Sequence, residues 1–244
     1  MKSSLIQKTT ITCLFDNRSM NPKLQEGWGL SLFIECDDKK ILFDTGGCEE
    51  AFFFNIEKLS LRLDAVTHVI LSHRHWDHIA GLEKVLSQLK PATKVFLPKL
   101  FFGHFLKRKY PFLQFTTVSS FLEIDTQISS LVLHGSFYFY EQVLILSTQR
   151  GLVLITGCAH PGIITIIKRT KAHFPTQPIH CIIGGLHLYS VSPYLSKEIV
   201  QAFQSHGVEK VAPCHCSGDH TIRQFQEAYG KDFLSVATGS VIFL

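Results

Sequence analysis

The chain has 244 residues, 45% of them hydrophobic and 18% charged, with 24 Lys and Arg against 20 Asp and Glu. With 16 Gly, 9 Pro and a formal charge of +4, it is not a disordered or collagen-like polymer, which needs more Gly, Pro or net charge and fewer core formers. The charge is also too small and too scattered for the basic stripe of a nucleic-acid-bound protein.

The length predicts one domain spanning residues 1–244, large enough to bury a substantial core. Apolar runs such as Gly151-Leu152-Val153-Leu154-Ile155 are strand-sized, well below the roughly 20 residues of a membrane helix. The first residues carry no signal-peptide pattern, so a cytoplasmic location and no membrane association are expected. Seven cysteines at irregular spacing read as reduced thiols rather than a disulfide framework.

In chain order, residues 10–15, 30–36, 40–43 and 65–71 read as strands. Residues 79–89 carry Leu82, Val85, Leu86 and Leu89 at helical spacing before Lys90-Pro91, and residues 95–97 return to a strand. A second half opens with strands at 114–118, 131–134, 137–140, 143–146 and 152–155. Helices at 161–170, with Pro161 near its start, and 193–206 alternate with strands at 179–183 and 208–211. A helix at 218–228 and a short strand near Val241 finish the chain. Two successive halves, each a strand meander followed by α and β elements, predict an α/β protein built as a four-layer αββα sandwich. The aromatic segment 99–115, with Lys107-Arg108-Lys109, sits between the halves. It reads as a packed crossover with a solvated basic face, and a substrate flap or dimer contact is its alternative.

His73-Arg74-His75-Trp76-Asp77-His78 follows the strand at 65–71 and places three imidazoles and a carboxylate within six residues. Imidazole nitrogen and carboxylate oxygen suit zinc, iron and manganese. Alternation puts His73, His75 and Asp77 on one side of an extended segment, with His78 turned toward a second position. Asp77 has a competing role as a helix N-cap.

The His-x-His-x-Asp-His pattern after a strand resembles the metallo-β-lactamase fold superfamily. Leu42-Phe43-Asp44-Thr45-Gly46, Thr156-Gly157-Cys158-Ala159-His160 and Pro213-Cys214-His215-Cys216-Ser217-Gly218 resemble its other motifs in the right order. Asp16-Asn17, Gly27-Trp28-Gly29, Gly184-Gly185-Leu186-His187 and His215-Cys216-Ser217-Gly218 are similar to the branch holding dihydropterin-type ribofuranosylaminobenzene 5'-phosphate synthases and metal-dependent hydrolases. The resemblance implies two divalent metals, zinc first with manganese or iron as alternatives. One would be held by His73, His75 and His160, the other by Asp77, His78 and His215, with a hydroxide between them. It makes Asp44 the carboxylate that orients a ligand histidine, against a plain turn role in Asp-Thr-Gly.

The wider superfamily places a bridging Asp where this chain has Gly185. His187, two residues on, is the candidate substitute, as ligand or proton donor. Losing one bridging anion makes the site more electropositive and suits a phosphate or carboxylate substrate. The expected function is therefore a metal-dependent hydrolase acting on a small anionic molecule, with Asp77, His187 and Asp44 as its catalytic set. The synthase, a transferase, is the alternative; a nuclease or a non-catalytic metabolite binder ranks below it. His68, His104, His134, His173, His180, His206 and His220 are taken as structural, and Cys158 and Cys216 as small pocket lining. Asn17, Trp28 and Lys107 to Lys109 are taken as ordinary surface.

Overall fold

The computed structural model describes residues 5–135 and 139–244. Strands β1 (Thr9–Phe15), β2 (Ser31–Cys36) and β3 (Lys39–Phe43) form an antiparallel meander, followed by helix α1 (Glu49–Lys58). Strand β4 (His68–Ile70), helices α2 (Trp76–Ile79) and α3 (Leu82–Gln88), β5 (Lys94–Pro98), α4 (Gly103–Lys109) and β6 (Gln114–Val118) complete the first half. The second half runs β7 (Phe121–Glu123), β8 (Ile128–His134), β9 (Tyr140–Thr148), β10 (Gly151–Thr156), α5 (Ile163–His173), β11 (Ile179–Gly185), α6 (Pro193–Ser205), β12 (Val208–Cys214), α7 (Asp219–Tyr229) and β13 (Val241–Phe243).

Two mixed sheets result, ordered β13-β1-β2-β3-β4-β5-β6 and β12-β11-β10-β9-β8-β7. Strands β3 to β6 run parallel, as do β10 to β12. Parallel strands fed by helices are buried on both faces, which is why their sequences are continuously apolar. The pleat sorts each run. Ile41 and Phe43 face Val153 and Ile155 of the opposite sheet in the central core. Leu42 between them faces Phe52 and Ile56 of α1, and Leu152 and Leu154 face Ile163, Ile166 and Phe203 of the other helical layer. The expected αββα sandwich is the observed architecture.

The division between the halves differs from the sequence reading. β6 is the edge strand of the first sheet, and β13 crosses back to pair with β1. Segment 99–115 is thus the β5–β6 crossover within the first half. Its Phe101 and Tyr110 are buried in the outer core, whereas Phe102, Phe105 and Phe112 are exposed. The expected helix at 79–89 is two pieces. Gly81 lies between them because a Cβ there would stand 2.8 Å from the Phe52 ring and 3.0 Å from the Thr45 carbonyl oxygen. Pro161 precedes α5 instead of opening it, and α1 and β7 carried no recognised pattern. The strands expected at 137–140 and 143–146 correspond to a single β9 from Tyr140 onward, and residues 137 and 138 lie outside the described residues. Among the described residues, no helix is long and apolar enough to cross a membrane, and all seven cysteines are free.

Candidate metal centre

The carboxyl ends of β1, β3, β4, β10, β11 and β12 point to one rim of the sandwich, so the segments beyond them converge. Ligand sites in α/β sheets form at this end because the departing loops are free of the ladder. Asp44, Ala159, His187 and His215, each just beyond one of these strands, have left-handed backbones, with φ of 58°, 58°, 55° and 49°. Each such residue costs of order 1–3 kcal/mol and turns the chain sharply enough to aim a side chain inward.

Asp44 is the hub. Fully buried, it accepts the Ser72 backbone N–H at 2.7 Å, the Ser72 hydroxyl at 2.6 Å and the His78 Nδ1–H at 2.7 Å. This hydrogen-bond chain sets tautomers. With its own proton given to Asp44, Ser72 Oγ accepts from His73 Nδ1 at 2.8 Å, which leaves the lone pair of His73 on Nε2. His78 is held the same way, and its Nε2 faces the site. His215 Nδ1 lies 2.9 Å from Asn17 Oδ1, and the His215 backbone N–H donates to Asp16 Oδ2 at 2.9 Å. Burial pushes the Asp16 carboxyl up to about 6.

The donors that these contacts aim form two groups. His73 Nε2 stands 3.1 Å from His75 Nδ1, and the His160 ring lies 4.9 Å from both rings. Asp77 Oδ2 lies 3.4 Å from His215 Nε2 and 3.8 Å from His78 Nε2, and accepts the Trp28 indole N–H at 2.8 Å. All six residues named from the sequence therefore meet. The Nε2 atoms of His160 and His215 are buried without a hydrogen-bond partner. Such orphans cost about 1–3 kcal/mol each, a cost that a divalent ion removes. The neutral imidazoles, carboxylate and orphaned nitrogens fit a metal centre.

Two local expectations change. Trp76–Ile79 is a helical turn, so Asp77 and His78 are placed by that turn and not by extended alternation. Asp77 lies inside its first turn and is not its N-cap. Asn17 and Trp28 are also more than surface, since one holds His215 and the other Asp77. Lys109 pairs with Glu83 on α3. Arg74 and Lys99 line a shallow depression with Phe139, whose ring stacks on His75 at 4.8 Å.

Glu141 fell between the strands expected at 137–140 and 143–146 and carried no recognised sequence signal; the structure places it in β9. Fully buried, it accepts backbone N–H bonds from Cys158 at 2.9 Å and from Ala159 and His160 at 2.7 Å, and so shapes the His160 loop. Burial pushes its carboxyl up to about 7 against the pull of these amides. An acid just ahead of the apolar run of β9 was the available clue.

His187 lies with its ring 4.4 Å from that of His160, and one of its nitrogens groups with the sulfurs of Cys158 and Cys216. Hydrogen bonding with Cys216 raises its proton affinity despite partial burial. No carboxylate fits at Gly185, since a Cβ there would stand 2.3 Å from the Gly157 oxygen and 2.6 Å from Cys216 Sγ. Gly185→Ala is expected to destabilise the chain by roughly 1–3 kcal/mol, visible as a lower thermal midpoint. An unchanged midpoint would mean that the rim yields. Among the seven histidines taken as structural, His68 meets Thr67, His173 stacks on Phe121 and His180 meets Glu209, all away from the centre.

The two donor groups should release metal at different pH. Burial, followed by the charges of neighbouring imidazoles, holds His73 well below the usual histidine range and His160 down at about 3. Against its own burial, Asp44 raises His78 above that range. A protonated imidazole cannot ligate, so acidification should empty the Asp77, His78 and His215 position first. A competition titration read with a metal indicator should show two steps, and one concerted step would contradict this assignment.

The Metallo-beta-lactamase superfamily profile matches residues 27–187, and the chain belongs to that superfamily. It is 23% identical, over 88% of its length and 89% of the relative, to 7,8-dihydropterin-6-methyl-4-(beta-D-ribofuranosyl)-aminobenzene-5'-phosphate synthase of Methanocaldococcus jannaschii. Among solved structures it is similar to Tm1679, described as a metal-dependent hydrolase of the beta-lactamase superfamily. That similarity has a TM-score of 0.78 and 27% identity, over 96% of this chain and 98% of the other. The metallo-β-lactamase fold protein YhfI of Bacillus subtilis shares the fold with a TM-score of 0.69 at 14% identity, covering 97% of this chain and 99% of that one.

Proposed function

We propose that the chain is a metal-dependent hydrolase with a binuclear centre that acts on a small anionic substrate. One observation carries this reading: His73, His75 and His160 converge beside Asp77, His78 and His215, and the outer nitrogens of His73, His78 and His215 are fixed by Ser72, Asp44 and Asn17. The likeness to Tm1679, at 27% identity, supports it. Divalent metals held there supply Lewis acidity and a water activated at neutral pH.

The chain's own groups do the rest. Arg74 and Lys99 lie beside Phe139, whose ring stacks on His75, and their charge favours an anion approaching the centre. Trp28, edge-on to Tyr189 with ring centroids 6.0 Å apart, overhangs the centre and holds Asp77 in place. His187, with raised proton affinity and half-open to solvent, donates a proton to the leaving group. Substituting His187→Ala should lower turnover by about 10²–10⁴-fold while metal content stays unchanged; equal loss of both would make His187 a ligand.

Elemental mass spectrometry on the purified and the zinc-reconstituted chain, beside a His75→Ala control, tests the centre. Two metals per chain, together with hydrolysis of phosphate esters or lactones that inorganic phosphate inhibits at millimolar concentration, is the expected result. Absence of metal, or turnover insensitive to phosphate, would overturn it. The synthase of M. jannaschii, matched over most of both chains, supports a second reading in which the metals activate a transfer electrophile. One metal per chain and no hydrolysis of any ester would favour that reading.

A further inference from the structure

Two sulfurs lie among the donors of the site, and the function proposed above uses only Cys216, through its hydrogen bond with His187. Cys158 Sγ lies 3.2 Å from His78 Nε2. It also groups within 4.8 Å with ligand atoms of His73 and His160, of His78 and His215, and of His187 and Cys216. Among the described residues it is the one donor common to all three groups. Both cysteines are at most 3% exposed, so neither faces bulk solvent.

Cys216 Sγ stands 2.6 Å from where a Gly185 Cβ would be, and the Cys158 Cα is 3.2 Å from the same point. The volume through which a bridging carboxylate would enter from Gly185 is thus occupied by cysteine. Cys216 is itself anchored: it accepts the His187 backbone N–H at 3.3 Å and approaches the Cys158 carbonyl oxygen at 3.8 Å. A thiol that only filled space needs no position between two sets of aimed imidazole nitrogens.

We propose that Cys158 Sγ is a ligand shared by both metal positions, replacing the bridging carboxylate that the chain lacks, while Cys216 fills the space beside it. The proposal rests on the metal centre described above and specifies its chemistry. On binding, the Cys158 S–H bond breaks, its proton leaves to solvent, and the sulfur's electron pairs form the bonds to metal; no oxidant or reductant takes part. A thiolate restores the negative charge missing at Gly185. It also biases the site toward zinc or iron over manganese, because a soft sulfur ligand prefers the softer ions.

X-ray absorption at the zinc edge of the zinc-reconstituted full chain tests this directly. The expected spectrum contains a sulfur shell at about 2.3 Å beside nitrogen and oxygen at about 2.0–2.1 Å. Cys158→Ser should lose the sulfur shell and Cys216→Ser should keep it. A wild-type spectrum with only nitrogen and oxygen neighbours overturns the proposal and leaves the histidine centre standing, whereas absence of bound zinc overturns both. A sulfur shell that survives Cys158→Ser, or that vanishes in Cys216→Ser while Cys158 is present, also overturns it. The wild-type spectrum and the Cys216→Ser variant keep the test decisive if Cys158→Ser fails to fold.

Discussion

Asp44→Asn is expected to lower metal affinity by about 10–100-fold although it changes no direct ligand. The carboxylate accepts from Ser72 twice and from His78 Nδ1 once. An asparagine has one acceptor oxygen, and its amide would have to face His78 Nδ1 or Ser72 Oγ as a donor. The His78 ring then carries its proton on Nε2, the atom aimed at the centre, and cannot ligate. Buried groups left unsatisfied add a stability loss of about 1–3 kcal/mol. Titration against a chromophoric chelator measures the first effect and a thermal melt the second. Unchanged affinity would mean that Asp44 is the plain turn residue that Asp-Thr-Gly also allows.

Glu141→Gln should be nearly as costly, for a residue that no motif marks. Its two oxygens accept three amides of the loop carrying Cys158 and His160. Glutamine turns one oxygen into a donor that faces a donor, which leaves buried N–H groups unpaired. The loss is about 1–3 kcal/mol, or about 2–4 °C in melting temperature per kcal/mol for a chain of this size. Metal content should fall with it, since the loop that aims His160 loosens. A stable variant with full metal content would show that the loop holds its shape by the left-handed turn at Ala159 alone.

The ligand-type residues of the candidate centre stand out in the sequence for a physical reason. His73, His75, Asp77 and His78 lie within six residues, and chance seldom gathers four ligand-type groups so closely behind an apolar strand. The strands were legible where period-2 or continuous apolar runs met turn residues, as in β2, β10 and β11. Helix α1 escaped because Phe52, Phe53 and Phe54 in succession blur the helical stripe, although Phe52 alone is fully buried. The break at Gly81 was hidden because the apolar spacing continues across it, and only the approach of the Phe52 ring demands it.

By itself, the sequence determined the chemical inventory: imidazole-rich turns behind apolar strands, an acid in Asp-Thr-Gly, and a glycine where a carboxylate would bridge. Those are local facts, set by residue type and spacing. The tertiary structure decided which atoms face which. Asp44 reaches Ser72 and His78, 28 and 34 residues away, and Asn17 reaches His215, 198 residues away. Glu141 closes on a loop 17 to 19 residues further along, and Cys216 fills the space beside Gly185. Orientation of a ligand nitrogen depends on a hydrogen-bond acceptor brought from a distant strand end, and no one-dimensional pattern records that meeting.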